Sequence, residues 1–143
     1  CAESCTGGLL AGRIVNVAGA SSVFQTGYVT YANQAKRRLL GVKKSTLRDF
    51  GAVSTQTAKE MASGALAAAK ADVAVSITGI AGPDGGTARK PVGLVYIGCS
   101  VQGHTIAQEY RFSGNREKIR DNAVSAALTL TRLCILENCS KKE

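Results

Sequence analysis

The sequence predicts an α/β fold, a three-layer α/β/α sandwich with a mixed, mostly parallel sheet. Helix-like and strand-like segments alternate through the first half of the chain, an order that gives parallel strands covered by helices. Two strand-like segments then follow one another across a Gln-Gly turn, which predicts an antiparallel hairpin. No repeat or linker divides the 143 residues, so residues 1–143 are predicted to form a single domain.

The first predicted elements surround a pair of glycines. Residues 1–4 have the character of the end of a buried strand, and we expect the natural protein to begin with a helix and a strand that precede them. Thr6 is the predicted cap of a short helix over residues 9–15. A Gly/Ser turn over residues 17–22 follows this helix.

The next elements are a strand and a second helix. Valine and tyrosine residues predict the strand over residues 23–31, because these side chains favour a pleated surface. Asn33 is the predicted cap of the helix over residues 34–40. Gly41 is predicted to end that helix, since glycine readily adopts the left-handed conformation.

The second half of the chain predicts two long helices and three strands. Ser54 and Asn115 are the predicted helix caps. The elements are a helix over residues 55–70, a strand over 73–77, a Gly/Pro-rich loop over 78–91, strands over 94–101 and 105–112, and a helix from 115 to 137. The tail from Ser140 to Glu143 is predicted to fray.

Charge limits the classes of partner. Eighteen basic and ten acidic residues give a net charge of +8, but the basic residues are scattered, and the aromatic residues are only four tyrosines and three phenylalanines. Since no nucleic-acid-binding motif accompanies the charge, no nucleic-acid partner is predicted. The charge favours a phosphorylated or acidic small substrate, with ordinary solvated surface residues as the alternative.

Cysteine usage and hydropathy indicate the cellular compartment of the protein. The five cysteines form no CxxC pair and no pattern with histidine, which favours reduced structural thiols over disulfides or a metal site. No apolar run approaches the ~20 residues that span a bilayer, and no charged-then-apolar leader is recognised. We therefore expect a cytoplasmic protein with no membrane partner.

Three segments able to carry chemistry each follow a predicted strand. They cover residues 4–8, 31–36 and 78–86. Ligands of open α/β sheets bind at the carboxyl ends of the strands. All three segments are therefore predicted to line one crevice.

Ser4 is the candidate nucleophile, in the segment ESCTGG over residues 3–8. It lies just before a helix N-terminus, where free backbone amides favour negative charge, and Gly7 and Gly8 allow a ligand to approach closely. Such amides can hold an oxyanion or a phosphate. By itself, however, the pattern is more typical of a capping hydroxyl before a tight turn.

A serine hydroxyl needs a base to remove its proton. The only histidine, His104, lies in the predicted hairpin turn, so a Ser-His-Asp triad is not predicted. Lys36 is the candidate base, because burial and a helix N-terminus both lower the pKa of a lysine. Tyr31, at the predicted strand end, is placed to relay a proton. The alternative is an exposed basic helix face formed by Lys36 and the two arginines that follow it.

The loop over residues 78–87 contains four glycines, more than a simple connection needs. Loops of this kind approach ligands closely and present backbone donors. The loop lacks both the Gly-Lys-Ser/Thr ending of a P-loop and the GxGxxG spacing of a dinucleotide turn. A mobile lid is the competing interpretation.

Taken together, these segments resemble the CinA C-terminal domain family. The motifs that carry the resemblance are AESCTGGLL at residues 2–10, GAS at 19–21, YANQAK at 31–36, LGV at 40–42, GAVS at 51–54, TGIAGPDGG at 78–86 and KPVG at 90–93. They span most of the chain in a specific order and spacing.

The resemblance implies hydrolysis of the carboxamide of nicotinamide mononucleotide, which gives nicotinic acid mononucleotide and ammonia. It implies that Ser4 is the nucleophile, Lys36 the general base and Tyr31 the proton relay. It implies no metal or organic cofactor, and a homodimer or higher homo-oligomer. The expected substrate-binding residues are Thr6, Gly7, Gly8, Asn33, Thr78, Gly79, Ala81, Gly82 and Arg111, with Arg116 as a second candidate for the phosphate. The two arginines are chosen only because they lie near the end of the last predicted strand.

Two alternatives to this function stay open. One is a module that binds pyridine nucleotides without catalysis, and the other is a serine amidase that acts on a different small amide. A binding module would show no turnover, and an amidase for another amide would show a different substrate preference.

Overall fold

The computed structural model describes residues 1–139, so the predicted fraying of Ser140 to Glu143 lies outside the described part of the chain. The strands are β1 Ala2–Glu3, β2 Tyr28–Val29, β3 Val73–Gly79, β4 Leu94–Val101 and β5 His104–Arg111. The helices are α1 Leu9–Val15, α2 Asn33–Leu40, α3 Lys44–Phe50, α4 Thr55–Ala69 and α5 Arg116–Cys139, with a 3-10 turn at Ala20–Ser22.

The five strands form one mixed sheet in the order β2-β1-β3-β4-β5. The pairings of β1 with β2 and with β3 are parallel, and the pairings of β4 with β3 and with β5 are antiparallel. The α/β class and the mixed sheet are confirmed, but only two of the four strand pairings are parallel, and each of these two is short. The reason lies in the connections: residues 80–93 join β3 to β4 without a helix, and a crossover helix is what makes neighbouring strands parallel.

Helices cover both faces of the sheet, which confirms the three layers. Along β3, Val75 and Ile77 face the core that includes Ile119 of α5. Alternate residues face the other way, and Ser76 Oγ donates a hydrogen bond to the Ala58 carbonyl of α4 at 2.6 Å. α1 packs beside α5 on one face, and α2 packs against α4 on the other. α5 and α2 therefore lie on opposite faces of the sheet.

The predicted strand over residues 23–31 is wrong in extent, since only Tyr28–Val29 is a strand. Val23 is 81% exposed, and the backbone N–H groups of Val23 and Phe24 donate to Ala20 in the preceding turn. β-Favouring side chains form a strand only where a neighbour offers backbone partners. Here only Tyr28 and Val29 pair in register with β1, and Thr30 adds one backbone bond to Glu3.

Two of the four predicted caps are confirmed. Ser54 Oγ accepts from the Thr57 N–H at 3.2 Å, and Asn115 Oδ1 accepts from the Lys118 N–H at 2.9 Å. Asn33 is instead the first residue of α2, and the cap position belongs to Ala32, which makes no side-chain bond. Gly41 ends α2 in the left-handed conformation as predicted, with φ 70°.

Two further expectations concern thiols and membranes. Within the described part of the chain, Cys1, Cys5, Cys99 and Cys134 are free thiols. None of the helices described for residues 1–139 is long and apolar enough to cross a membrane.

Candidate active site

The structure brings the ends of β1, β2 and β3 together around Ser4. Ser4 directly follows β1, and its backbone N–H donates to the Ile77 carbonyl of β3 at 2.9 Å. On the other side, the Thr30 N–H donates to the Glu3 carbonyl at 2.9 Å. Backbone pairing therefore fixes Ser4 between the ends of its two neighbouring strands.

Lys36 lies against the side chain of Ser4. Its Nζ is 3.0 Å from Ser4 Oγ, and it also donates to the carbonyl oxygens of Thr30 at 2.8 Å and Tyr31 at 3.2 Å. Lys36 lies on the inward face of α2 and is only 1% exposed. The interpretation of Lys36 as part of an exposed basic face is therefore wrong, although the two arginines that follow it are exposed.

Burial changes the acid–base character of Lys36. Desolvation lowers its pKa from 10.5 to about 8, because the charged ammonium loses its water and no carboxylate takes part in its hydrogen bonds. An amine with such a pKa is neutral in a useful fraction of molecules near neutral pH. Lys36 is thus able to accept a proton from the hydroxyl it touches.

Cys5, beside Ser4, is a different case. Its side chain is buried in the core that contains Leu10 and Ile119, and desolvation raises the pKa of the thiol to about 11. The thiolate is the reactive form of cysteine. Cys5 therefore stays protonated near neutral pH, and Ser4 is the nucleophile candidate of this turn.

The carboxylate of Glu3 organises the start of α1. Its two oxygens accept from the backbone N–H groups of Leu10 at 2.8 Å and Ala11 at 3.1 Å, and the residue is 1% exposed. Glu3 thus performs the capping role predicted for Thr6, whose side chain makes no such bond. Local rules could not find this cap, because Glu3 lies seven residues before Leu10 in the chain.

The turn after Ser4 is held from the side of α5. Gly7 and Gly8 have φ 58° and 108°, values that favour glycine, and the Gly7 N–H donates to the Ser4 carbonyl at 3.0 Å. Arg120 donates from Nε to the Cys5 carbonyl at 2.9 Å and from Nη2 to the Thr6 carbonyl at 3.1 Å. Sequence reasoning missed Arg120, whose position depends on how α5 packs on the sheet.

Two threonine hydroxyls near the site are buried without a partner. Thr6 Oγ1 and Thr30 Oγ1 make no hydrogen bond with the described residues, and both residues are 0% exposed. Buried hydroxyls are usually bonded, so these two are available to a ligand or an ordered water. Thr6 is the one that was predicted as a substrate-binding residue.

Tyr31 and Asn33 lie at the open side of the site. Tyr31 is 61% exposed, and its hydroxyl is 3.5 Å from Nη2 of Arg116. Lys36 thus contacts the Tyr31 carbonyl, whereas the Tyr31 hydroxyl faces Arg116. Asn33 is exposed on the first turn of α2. Both residues are accessible to a substrate.

The glycine-rich loop contributes less side-chain chemistry than its composition suggests. The Thr78 hydroxyl donates to the Ala52 carbonyl at 2.8 Å, and Gly79 lies where a Cβ would meet Val95 of β4. Ala81 is buried. Gly82, with φ 76°, accepts from Nη1 of Arg116 at 2.7 Å, so this arginine ties the loop to α5 beside Tyr31.

The structure does not bring Arg111 to the other predicted residues. Arg111 ends β5, on the outer edge of the sheet, and its Nε is 2.9 Å from Glu109 Oε1. Three strand spacings separate β5 from β1, a distance of about 14 Å. Arg116, at the start of α5, is the arginine that reaches the crevice. Residues 1–139 contain no group of three or more His, Cys, Asp or Glu side chains placed to hold a metal ion.

Comparison with protein families matches residues 1–135 of this chain to the CinA C-terminal domain model. A "Putative competence-damage inducible protein" of Caldicellulosiruptor saccharolyticus is 54% identical over 135 residues, which are 94% of this chain and 33% of that protein. A "CinA-like protein" of Kosmotoga olearia is 56% identical, again over 94% of this chain and 33% of the relative. This chain spans about a third of the length of these curated relatives.

Solved structures show the same fold. The competence/damage inducible protein CihA of Agrobacterium tumefaciens superposes with a TM-score of 0.88 at 51% identity, over 90% of this chain and 79% of that one. The competence damage-inducible protein A (ComA) of Klebsiella pneumoniae gives a TM-score of 0.87 at 40% identity, over 90% and 80% of the two chains. The sequence and the fold of this chain are therefore similar to the same group of proteins.

Proposed function

This chain belongs to the CinA C-terminal domain family, and from that premise we propose that it is an amidase of the Ser/Lys type. Its proposed reaction converts nicotinamide mononucleotide and water into nicotinic acid mononucleotide and ammonia. The single observation that carries the proposal is the 3.0 Å contact between Lys36 Nζ and Ser4 Oγ, made by a lysine that is 1% exposed.

The three hydrogen bonds of Lys36 support its role as general base. A neutral amine has two N–H donors and one lone pair, arranged as a tetrahedron around the nitrogen. The carbonyls of Thr30 and Tyr31 accept the two N–H groups. The lone pair is then directed at the third partner, the hydroxyl of Ser4, from which it takes the proton.

The catalytic cycle follows from this proton transfer. Ser4 Oγ attacks the amide carbon, and backbone N–H groups of the turn after Ser4 that have no protein acceptor stabilise the oxyanion. The Lys36 ammonium returns its proton to the amide nitrogen, the C–N bond breaks, and ammonia leaves an acyl-Ser4 ester. Water, deprotonated by Lys36, then attacks the ester and releases the carboxylate while the proton returns to Ser4.

The substrate follows from the family resemblance, and features of the chain are compatible with it. The net charge of +8 favours an anionic ligand. Arg116 lies between Tyr31 and Gly82 at the open side of the site, where a phosphate is able to reach its guanidinium. Tyr31 remains the proposed proton relay, with Asn33 beside it. The proposal includes a cytoplasmic homo-oligomer without metal or organic cofactor.

The experiment is an ammonia-release assay on three substrates: nicotinamide mononucleotide, nicotinamide riboside and free nicotinamide. We expect turnover that strongly prefers the mononucleotide, and loss of turnover in Ser4→Ala and Lys36→Ala while the fold persists. Saturable binding of the mononucleotide without ammonia release would identify a binding module instead. Turnover without a preference for the phosphate would point to an amidase with another natural substrate.

A further inference from the structure

The turn that follows Ser4 leaves three backbone N–H groups without an oxygen acceptor in the described part of the protein. Among residues 1–139, the N–H groups of Cys5, Thr6 and Gly8 donate to no protein oxygen, and the Cys5 N–H lies against its own thiol. Those of Ser4, Gly7 and Leu9 donate to carbonyl oxygens. Buried backbone donors are almost always paired. A free N–H beside a nucleophile is therefore a candidate for the group that stabilises the oxyanion.

Arg120 determines where the Thr6 donor points. Its guanidinium holds the Cys5 carbonyl toward α5 at 2.9 Å. In a trans peptide the carbonyl and the following N–H point in opposite directions, and the Cys5–Thr6 bond is trans. The Thr6 N–H is therefore directed away from α5.

That direction leads to the side of the site on which Lys36 meets Ser4. α5 and α2 lie on opposite faces of the sheet, because α5 packs with α1 and α2 packs with α4. The second hydrogen bond of the Arg120 guanidinium, from Nη2 to the Thr6 carbonyl at 3.1 Å, holds that carbonyl toward α5 as well. The N–H of the same peptide, on Gly7, accordingly turns back to the Ser4 carbonyl.

We propose that Arg120 is a positioning residue for acyl transfer, which rests on the proposed function. By clamping two successive carbonyls of the nucleophile turn, it presents the Thr6 N–H to the oxygen that becomes negative when Ser4 attacks. The two donors of one planar guanidinium suit this task, whereas a lysine offers only a point charge. Arg120 contacts neither Ser4 Oγ nor Lys36 Nζ, so its effect is on geometry.

The variant Arg120→Ala tests the proposal through the split between kcat and KM. Loss of an oxyanion donor lowers kcat by about 100-fold or more, while KM stays within about threefold of the wild type. The rise of kcat/KM with pH keeps its midpoint, since Lys36 is untouched. Arg132→Ala is the matched control: it removes an exposed arginine of the same helix and is expected to leave both constants unchanged.

Chemical rescue separates a positioning role from a structural one. Guanidinium chloride at tens of millimolar, far below unfolding concentrations, should restore a measurable part of kcat in Arg120→Ala, and equal urea should not. Arg120→Lys, which keeps the charge without the fork, should remain well below the wild type. Unchanged kcat in Arg120→Ala, a loss confined to KM, or equal rescue by urea would overturn the proposal.

A second readout keeps this test independent of the natural substrate. An alkyl fluorophosphonate reacts with an activated serine, forming an Oγ–P bond as fluoride leaves, and intact-mass spectrometry measures its rate of attachment to Ser4. We expect slower labelling in Arg120→Ala than in the wild type and Arg132→Ala. Equal rates, or no labelling of wild-type Ser4, would contradict the proposal. Labelling without ammonia release would reject the proposed substrate. The ratio of the labelling rates of the wild type and Arg120→Ala would then still test the positioning role of Arg120.

Discussion

Replacing Lys36 with methionine is expected to change how the stability of the fold depends on pH. The side chain is 1% exposed, and methionine fills a similar space without a titratable group. In the wild type, burial lowers the pKa of Lys36 from 10.5 to about 8. Between these values the unfolded chain binds more protons than the folded chain, so the Lys36 contribution to the unfolding free energy rises with pH.

The size of the effect follows from the two pKa values. Below pH 8 the buried ammonium costs about 3 kcal/mol, a cost that disappears as the pH approaches 10.5. Between pH 7 and pH 10 the stability of the wild type should therefore rise by roughly 2 to 3 kcal/mol relative to Lys36→Met. Only this difference is informative, because buried Cys5 and Cys99, whose pKa values are raised, titrate in both proteins.

Urea unfolding of both proteins at four pH values, followed by circular dichroism, measures the difference. Lys59→Met is the control: this lysine is exposed on α4 and keeps its hydration in the fold. The difference in unfolding free energy between the wild type and Lys36→Met should change with pH, whereas the difference between the wild type and Lys59→Met should stay constant. A difference for Lys36→Met that stays constant within about 0.5 kcal/mol would refute the argument that burial neutralises Lys36.

Three further changes test the surroundings of the pair. Glu3→Gln should lower the unfolding free energy in urea by about 2 kcal/mol, because an amide accepts only one of the two helix N–H bonds with an oxygen and carries no charge. Gly64→Ala should lower it by about 2 kcal/mol or more, because a Cβ there would overlap the Leu40 carbonyl that packs α2 on α4; little change would show that α2 moves freely. Tyr31→Phe keeps the carbonyl bond to Lys36, so the midpoint of the pH–rate profile should stay near 8, and a clear shift would mean that the hydroxyl contacts Lys36 during catalysis.

The sequence predicted the layers of the fold because they depend on the order of elements and on hydrophobic periodicity. It failed over residues 23–31, where β-favouring side chains lack a partner strand for most of their length. It also overestimated parallel pairing, since the loop between β3 and β4 contains no crossover helix. Strand length and direction depend on neighbours that a local pattern does not contain.

The site shows the same division. Ser4 and Lys36 could be proposed because both follow strands, and the topology brings the carboxyl ends of parallel strands together. The roles of Glu3 and Arg120 could not be proposed from the sequence, because both depend on tertiary packing. Glu3 caps a helix seven residues further on, and Arg120 bonds a carbonyl 115 residues before it. Arg111 was misplaced because nearness to a strand end does not say which strand lies beside the site.

The rate of ammonia release by Ser4→Ala and Cys5→Ala, measured beside the wild type on nicotinamide mononucleotide, decides whether Ser4 is the nucleophile. The two side chains are neighbours, but the Cys5 thiol is buried with a pKa raised to about 11, whereas Ser4 Oγ contacts Lys36. We expect a loss of at least about 10³-fold for Ser4→Ala and retention of most of the rate for Cys5→Ala. Full activity in Ser4→Ala, or its loss only in Cys5→Ala, would contradict the Ser4–Lys36 mechanism.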